Sequence, residues 1–149
     1  MVKIAIGCDH GGYVLKEGII DLLKSMNIEV ADMGCDGESV DYPDYALKVA
    51  KAVSKGNCDK GILLCGTGIG ISIAANKVKG IRCAVCHDVF TATMCSAHNN
   101  ANILAMGGRV LDKQLALSMV EAWLKTPFEG ARHSNRVNKI SEIEREYFK

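Results

Sequence analysis

Of 149 residues only two are proline, and 18 basic side chains almost cancel 17 acidic ones, leaving a formal charge of +1. Near-neutrality leaves no overall field of the kind that draws a protein to nucleic acid or an anionic membrane, so neither is expected as a partner. Any charged ligand must be held locally. No stretch approaches the roughly 20 uncharged apolar residues of a membrane-spanning helix, and the N-terminal MVKIAIGCDHGG has too short an apolar run for a secretory signal. The seven cysteines are an odd number scattered through apolar segments, not spaced along polar loops. They point to a reducing, cytoplasmic setting and away from a disulfide framework. No linker, repeat or low-complexity segment interrupts the chain.

With 48% hydrophobic residues, a chain of this length can bury a real core as one domain over residues 1–149. Short apolar or β-branched runs alternate with longer segments of helical period. VKIAIGC precedes YVLKEGIIDLLKSM, in which Val14, Leu15, Ile19, Leu22, Leu23 and Met26 recur at helical spacing. IEVADMG (28–34), KGILLCG, IRCAVCHD (81–88) and ANILAMGG read as four further strands. DYPDYALKVAKAVSKG, GISIAANKV, VFTATMCSAHN and DKQLALSMVEAWLKT read as the helices between and after them. Alternation with near-continuous apolar strands predicts a three-layer, doubly wound α/β fold around a five-stranded parallel sheet. The tail from Ser134 to Lys149 predicts one more amphipathic helix, with Val137, Ile140 and Ile143 on one side. It follows no strand, which suits packing across a partner.

Ligands of such sheets sit beyond the carboxyl ends of the strands. That rule collects Asp9, His10, Gly11 and Gly12; Asp41 to Asp44; Cys65 to Gly70; His87 and Asp88; and Gly107 to Arg109. CGTGIG is not a phosphate-binding P-loop, since no Gly-Lys-Ser or Gly-Lys-Thr follows, and it lacks the dinucleotide spacing. It reads either as a tight turn with a buried structural cysteine or as a reactive site. A thiol beside a helix N-terminus is favoured as thiolate, and the neighbouring N–H groups could hold a developing oxyanion. CAVCH, Cys83 to His87, matches a haem-attachment spacing, but strand residues three apart face opposite ways, so no haem or metal site is expected. Asp9 suits a cap, and His98-Asn99 a helix C-terminus. Arg132 and Arg136, four apart, suit either a solvated helix face or a phosphate clamp.

Five motifs, GCDHGG, DYPDYA, CGTGIGISIAANK, HNNANILAMGGR and GARHSNRVNKI, occur in that order over essentially the whole chain. Together they resemble the type B ribose-5-phosphate isomerases and related sugar-phosphate isomerases. The resemblance implies that Cys65 is the base moving a proton between C1 and C2 of an open-chain sugar. The loop Gly66, Thr67, Gly68, Ile69 and Gly70 would hold the enediolate oxygens. It further implies that His98, with Asp9, opens the furanose ring and that His10, Arg132 and Arg136 hold the phosphate. Asn99, Arg109 and Tyr42 would make further substrate contacts. Some members use a carboxylate just beyond the glycine loop as base, but ISIAANK contains none. No cofactor is implied. Several of these residues would come from a second subunit, in a homodimer or dimer of dimers. The residues leave open a six-carbon sugar phosphate, or a binding module without catalysis.

Overall fold

The computed structural model describes residues 1–148. Five strands, β1 (Lys3–Cys8), β2 (Glu29–Asp32), β3 (Lys60–Cys65), β4 (Cys83–Val85) and β5 (Ile103–Gly107), form one sheet in the order β2-β1-β3-β5-β4. Every pairing is parallel. Six helices accompany them: α1 (Tyr13–Ser25), α2 (Tyr42–Ser54), α3 (Ile69–Ala75), α4 (Val89–Ala97), α5 (Lys113–Lys125) and α6 (Arg132–Tyr147).

Alternate residues of each central strand serve opposite faces of the sheet, which is why these strands are apolar throughout. Ile4, Ile6, Ile62, Leu64, Leu104 and Met106 pack under α1, α4 and α5. Ala5, Leu63, Cys65, Ile103 and Ala105 pack under α2 and α3. On α1 the residues Leu15, Ile19 and Leu23 recur every fourth position and are buried, making one stripe against the sheet. Trp123 of α5 is fully buried, and its indole N–H donates to the Ala101 carbonyl at 3.2 Å. Lys16 is buried too. Its ammonium donates to both oxygens of Asp32 at 3.0 Å and to the Cys35 carbonyl at 2.7 Å, tying the end of β2 and its following loop to α1.

The expected architecture is present, with shifted boundaries. The second strand, expected over 28–34, pairs only at Glu29–Asp32. The fourth, expected over 81–88, is three residues long because it is an edge strand paired to β5 alone. Helix α6 starts at Arg132, two residues early, on first-turn bonds from the His133 and Ser134 amides to the Gly130 and Ala131 carbonyls. Lys149, the end of that expected helix, lies outside the described residues. Among the described residues no helix is long and apolar enough to cross a membrane.

Leu104, the second residue of β5, has no exposed surface. Leu104→Ala should cost about 2–5 kcal/mol, the range for a core leucine whose cavity only partly collapses. Asp112 accepts from the Leu115 N–H at the start of α5, and Asp112→Ala should cost about 1 kcal/mol, as for a lost helix cap. Urea unfolding of the two variants should separate these values clearly.

Candidate active site

The chain runs from β1 to β2 on one side and places β3 on the other, so the connections diverge between β1 and β3. Ligand clefts of doubly wound sheets open at such a point. Here a cleft of about 400 Å³ is lined by Asp9, Tyr42, Cys65, Gly66, Thr67, Ile69, Gly70 and Arg109. It lies at the carboxyl ends of β1, β3 and β5 and the first turn of α2.

Cys65 is the last residue of β3, 5% exposed, and its Sγ accepts the Gly68 N–H at 3.1 Å. The bend that aims this amide at the sulfur needs glycine: Gly68 has φ +83°, and a Cβ there would lie 2.8 Å from the Met106 carbonyl carbon. Helix α3 has only seven residues. The contact made to this sulfur is direct donation by the Gly68 amide of the loop. The exposed Thr67 accepts the Ile69 N–H on its Oγ1 at 3.2 Å, and the Tyr42 ring lies against Gly70.

Asp9 follows β1 and is buried. Its Oδ1 accepts the Gly11 and Gly12 amides at 2.8 and 3.1 Å. The capping reading and the site reading thus both apply: one oxygen shapes the turn, while the other makes no hydrogen bond among the described residues. Exposed His10 accepts the Val40 N–H on Nδ1 at 3.3 Å. With Nδ1 accepting, Nε2 is the ring nitrogen left to donate.

Not every residue expected at this edge reaches the cleft. His87 and Asp88 follow the edge strand β4 and line no part of it. Asp88 caps α4 instead, accepting the Thr91 N–H at 2.7 Å, and the bonds from Thr91 hold its carboxyl below the usual range. His98, Asn99, Arg132 and Arg136 also stand apart from Cys65, where the end of α4 meets the start of α6. There the His98 ring stacks on His133, centroids 4.0 Å apart and planes within 10°. The Glu129 Oε1 lies 3.7 Å from His98 Nε2 and 3.6 Å from His133 Nε2. Burial, with the charges of His98 and Arg132, pushes the His133 imidazole below its ordinary value. Glu129 and His133 were missed in the sequence, and GARHSNR, which contains the second histidine beside the arginines, was the available signal.

The remaining cysteines are packing residues. Cys83 faces the α2/α3 side and Cys86 the opposite side, so CAVCH forms no clip. Burial, with the Cys35 thiol alongside, pushes the Cys8 thiol up to about 12, and burial takes Cys83 to about 12 as well. A shared hydrogen bond draws Cys86 down and Cys95 up. Thiols pushed up in this way are poor nucleophiles; Cys86, drawn down, lies on the far side of the sheet from Cys65, and Cys65 is the one cysteine lining the cleft.

The profile of the ribose/galactose isomerases matches residues 4–140. The chain belongs to this family. Ribose-5-phosphate isomerase B of Escherichia coli is 50% identical over 145 residues, covering 97% of each chain. The solved structure of Clostridium thermocellum ribose-5-phosphate isomerase B superposes with a TM-score of 0.96 at 59% identity, covering 98% of this chain and 99% of that one. A relative from Pectobacterium atrosepticum, 44% identical over 97% of this chain and 96% of its own, is a D-erythrulose-4-phosphate isomerase. Membership in the family makes the chain a sugar-phosphate isomerase.

Gly68→Ala forces the loop off both Met106 and the Cys65 sulfur. Steady-state kinetics should show kcat lowered by about 100-fold, the scale for losing one preorganised backbone donor. A variant within a few-fold of the parent would remove this amide from the chemistry.

Proposed function

We propose that the chain interconverts D-ribose 5-phosphate and D-ribulose 5-phosphate through a cis-enediolate, without a cofactor. The observation that carries this reading is the setting of Cys65, the one thiol lining a cleft of sugar-phosphate dimensions, with a loop amide already donating to its sulfur. As base, Cys65 takes the C2 proton of the open-chain aldose. The electron pair moves to the carbonyl oxygen on C1, and the amides of Gly66 to Gly70 with Thr67 hold the oxygens as charge develops. Transfer of the O2 hydroxyl proton to O1 leaves the charge on O2, and return of the proton from Cys65 to C1, with O2 becoming the carbonyl oxygen, gives the ketose.

Ring opening needs an acid–base pair, assigned to His98 and Asp9. The phosphate anchor is assigned to His10, Arg132 and Arg136, and the further contacts to Tyr42, Asn99 and Arg109. An anchor remote from the reacting carbons lets binding energy orient the sugar without stabilising its ground state at C1 and C2. Separation of His98, Arg132 and Arg136 from Cys65 within one chain supports a homodimer, or dimer of dimers, in which one subunit supplies the thiol and its partner the ring-opening histidine. The uncovered Ile140 and Ile143 on α6, 49% and 61% exposed, support α6 as part of that contact.

Assays across four-, five- and six-carbon aldose phosphates should give the highest kcat/KM with ribose 5-phosphate, and preference for another chain length would reassign the substrate. Cys65→Ala should abolish both isomerisation and exchange of the C2 proton with solvent while phosphosugar binding survives. A wild-type protein that binds sugar phosphates and never exchanges that proton is a binding module instead.

For the assembly, Cys65→Ala and His98→Ala subunits, each inactive alone, should regain part of the activity when exchanged with each other. No recovery despite demonstrated exchange would place each site within one chain.

A further inference from the structure

His133 Nε2 is the one fully buried side-chain nitrogen or oxygen without a hydrogen-bond partner among the described residues. The residue is 5% exposed, so water does not compensate it freely, and an unpaired buried polar atom carries a desolvation cost. It lies beside two other donor atoms. One ligand atom from each of His98, Glu129 and His133 falls within 4.8 Å of the others. We propose that these three side chains form a binding site for a divalent transition-metal ion of the zinc class, and that occupancy withdraws His98 from catalysis.

The spacing suits such an ion. Tetrahedral zinc holds nitrogen and oxygen ligands at about 2.0–2.2 Å, which sets neighbouring donor atoms about 3.4 Å apart. Glu129 Oε1 stands 3.6 and 3.7 Å from the two Nε2 atoms, within a few tenths of that spacing. Stacked rings do not yet aim both lone pairs at one point. His98, with 36% of its side chain exposed, and Glu129, with 53% exposed, have the freedom to turn onto the ion, whereas buried His133 is the fixed member.

The donor set selects the ion class. Two imidazoles and one carboxylate suit zinc, copper or nickel, while magnesium and calcium prefer oxygen donors throughout. Burial favours neutral His133, the form that ligates. Arg132 and Arg136 face the same imidazole and oppose a cation, so the site is a reversible one of moderate affinity. Inhibition rests on the proposed ring-opening role of His98; binding does not. A metal-bound Nε2 has no lone pair with which to move a proton.

Calorimetry with zinc chloride in the Cys65→Ala background removes the cleft thiol as a competing ligand. One ion should bind per chain with micromolar affinity, and Glu129→Gln or His133→Gln in that background should weaken it at least about tenfold. Glu129 is exposed, so its variant should keep the parent's thermal unfolding even if His133→Gln does not fold. No saturable binding, or binding unchanged in the folded Glu129→Gln variant, would overturn the site. In the otherwise wild-type enzyme, zinc should inhibit reversibly, with recovery on adding a chelator, and Glu129→Gln should need about tenfold more zinc for half-inhibition. Full activity at saturating zinc would overturn the inhibitory role. A chain that binds zinc as described yet isomerises no sugar phosphate fails the functional reading alone.

Discussion

Backbone-on-backbone packing of the loops that follow β1, β3 and β5 is the constraint on which the site depends. A Cβ at Gly12 would lie 2.3 Å from the carbonyl carbon of Leu64, and one at Gly68 would press on the backbone of Met106. Main-chain bonds lock the same seam: Asp9 N–H to the Leu64 carbonyl at 3.1 Å, Gly108 N–H to that of Cys65 at 2.8 Å, and Arg109 N–H to that of Gly66 at 3.0 Å. Loops joined this closely have little freedom to shift separately. The amide that meets the Cys65 sulfur is thereby held in place before substrate arrives, which is the condition under which such donors lower a barrier.

The same packing divides the molecule's chemistry in two. Cys65, Asp9 and Tyr42 belong to a rigid centre made by the middle strands, while His98, Arg132 and Arg136 belong to the junction of α4 and α6. That junction is fastened by the His98–His133 stack and the Glu129 N–H to the Ala97 carbonyl at 2.9 Å, while near the other end of α6 Glu144 accepts the Gly80 N–H at 2.9 Å. On the proposed reading, the proton-transfer thiol and the groups assigned to ring opening and phosphate are thus positioned by separate parts of the fold.

Much of the fold was legible because it rests on local periodicity. Helical stripes such as Leu15, Ile19 and Leu23 and the apolar runs of β1, β3 and β5 read directly from the sequence, as did the glycine loop and its cysteine. Edge elements were harder. Cys86, read as strand, lies beyond the short β4, and Asp88, expected near the site, caps α4. Both depend on which neighbours the fold supplies. Glu129 and His133 escaped notice because a buried histidine stacked on another looks, in sequence, like any polar residue near a helix start.

Residue type and spacing by themselves determined that the chain would alternate strand and helix, and that Cys65 would sit at the end of a strand before a glycine turn, because those properties need only nearest neighbours along the chain. Tertiary structure alone decided the strand order β2-β1-β3-β5-β4, which opens the cleft between β1 and β3 and leaves His87 outside it. It also decided that His98, Glu129 and His133 would share one corner while Cys65 occupies another. These are long-range contacts, set by how the helices close over the sheet and not by any period along the chain.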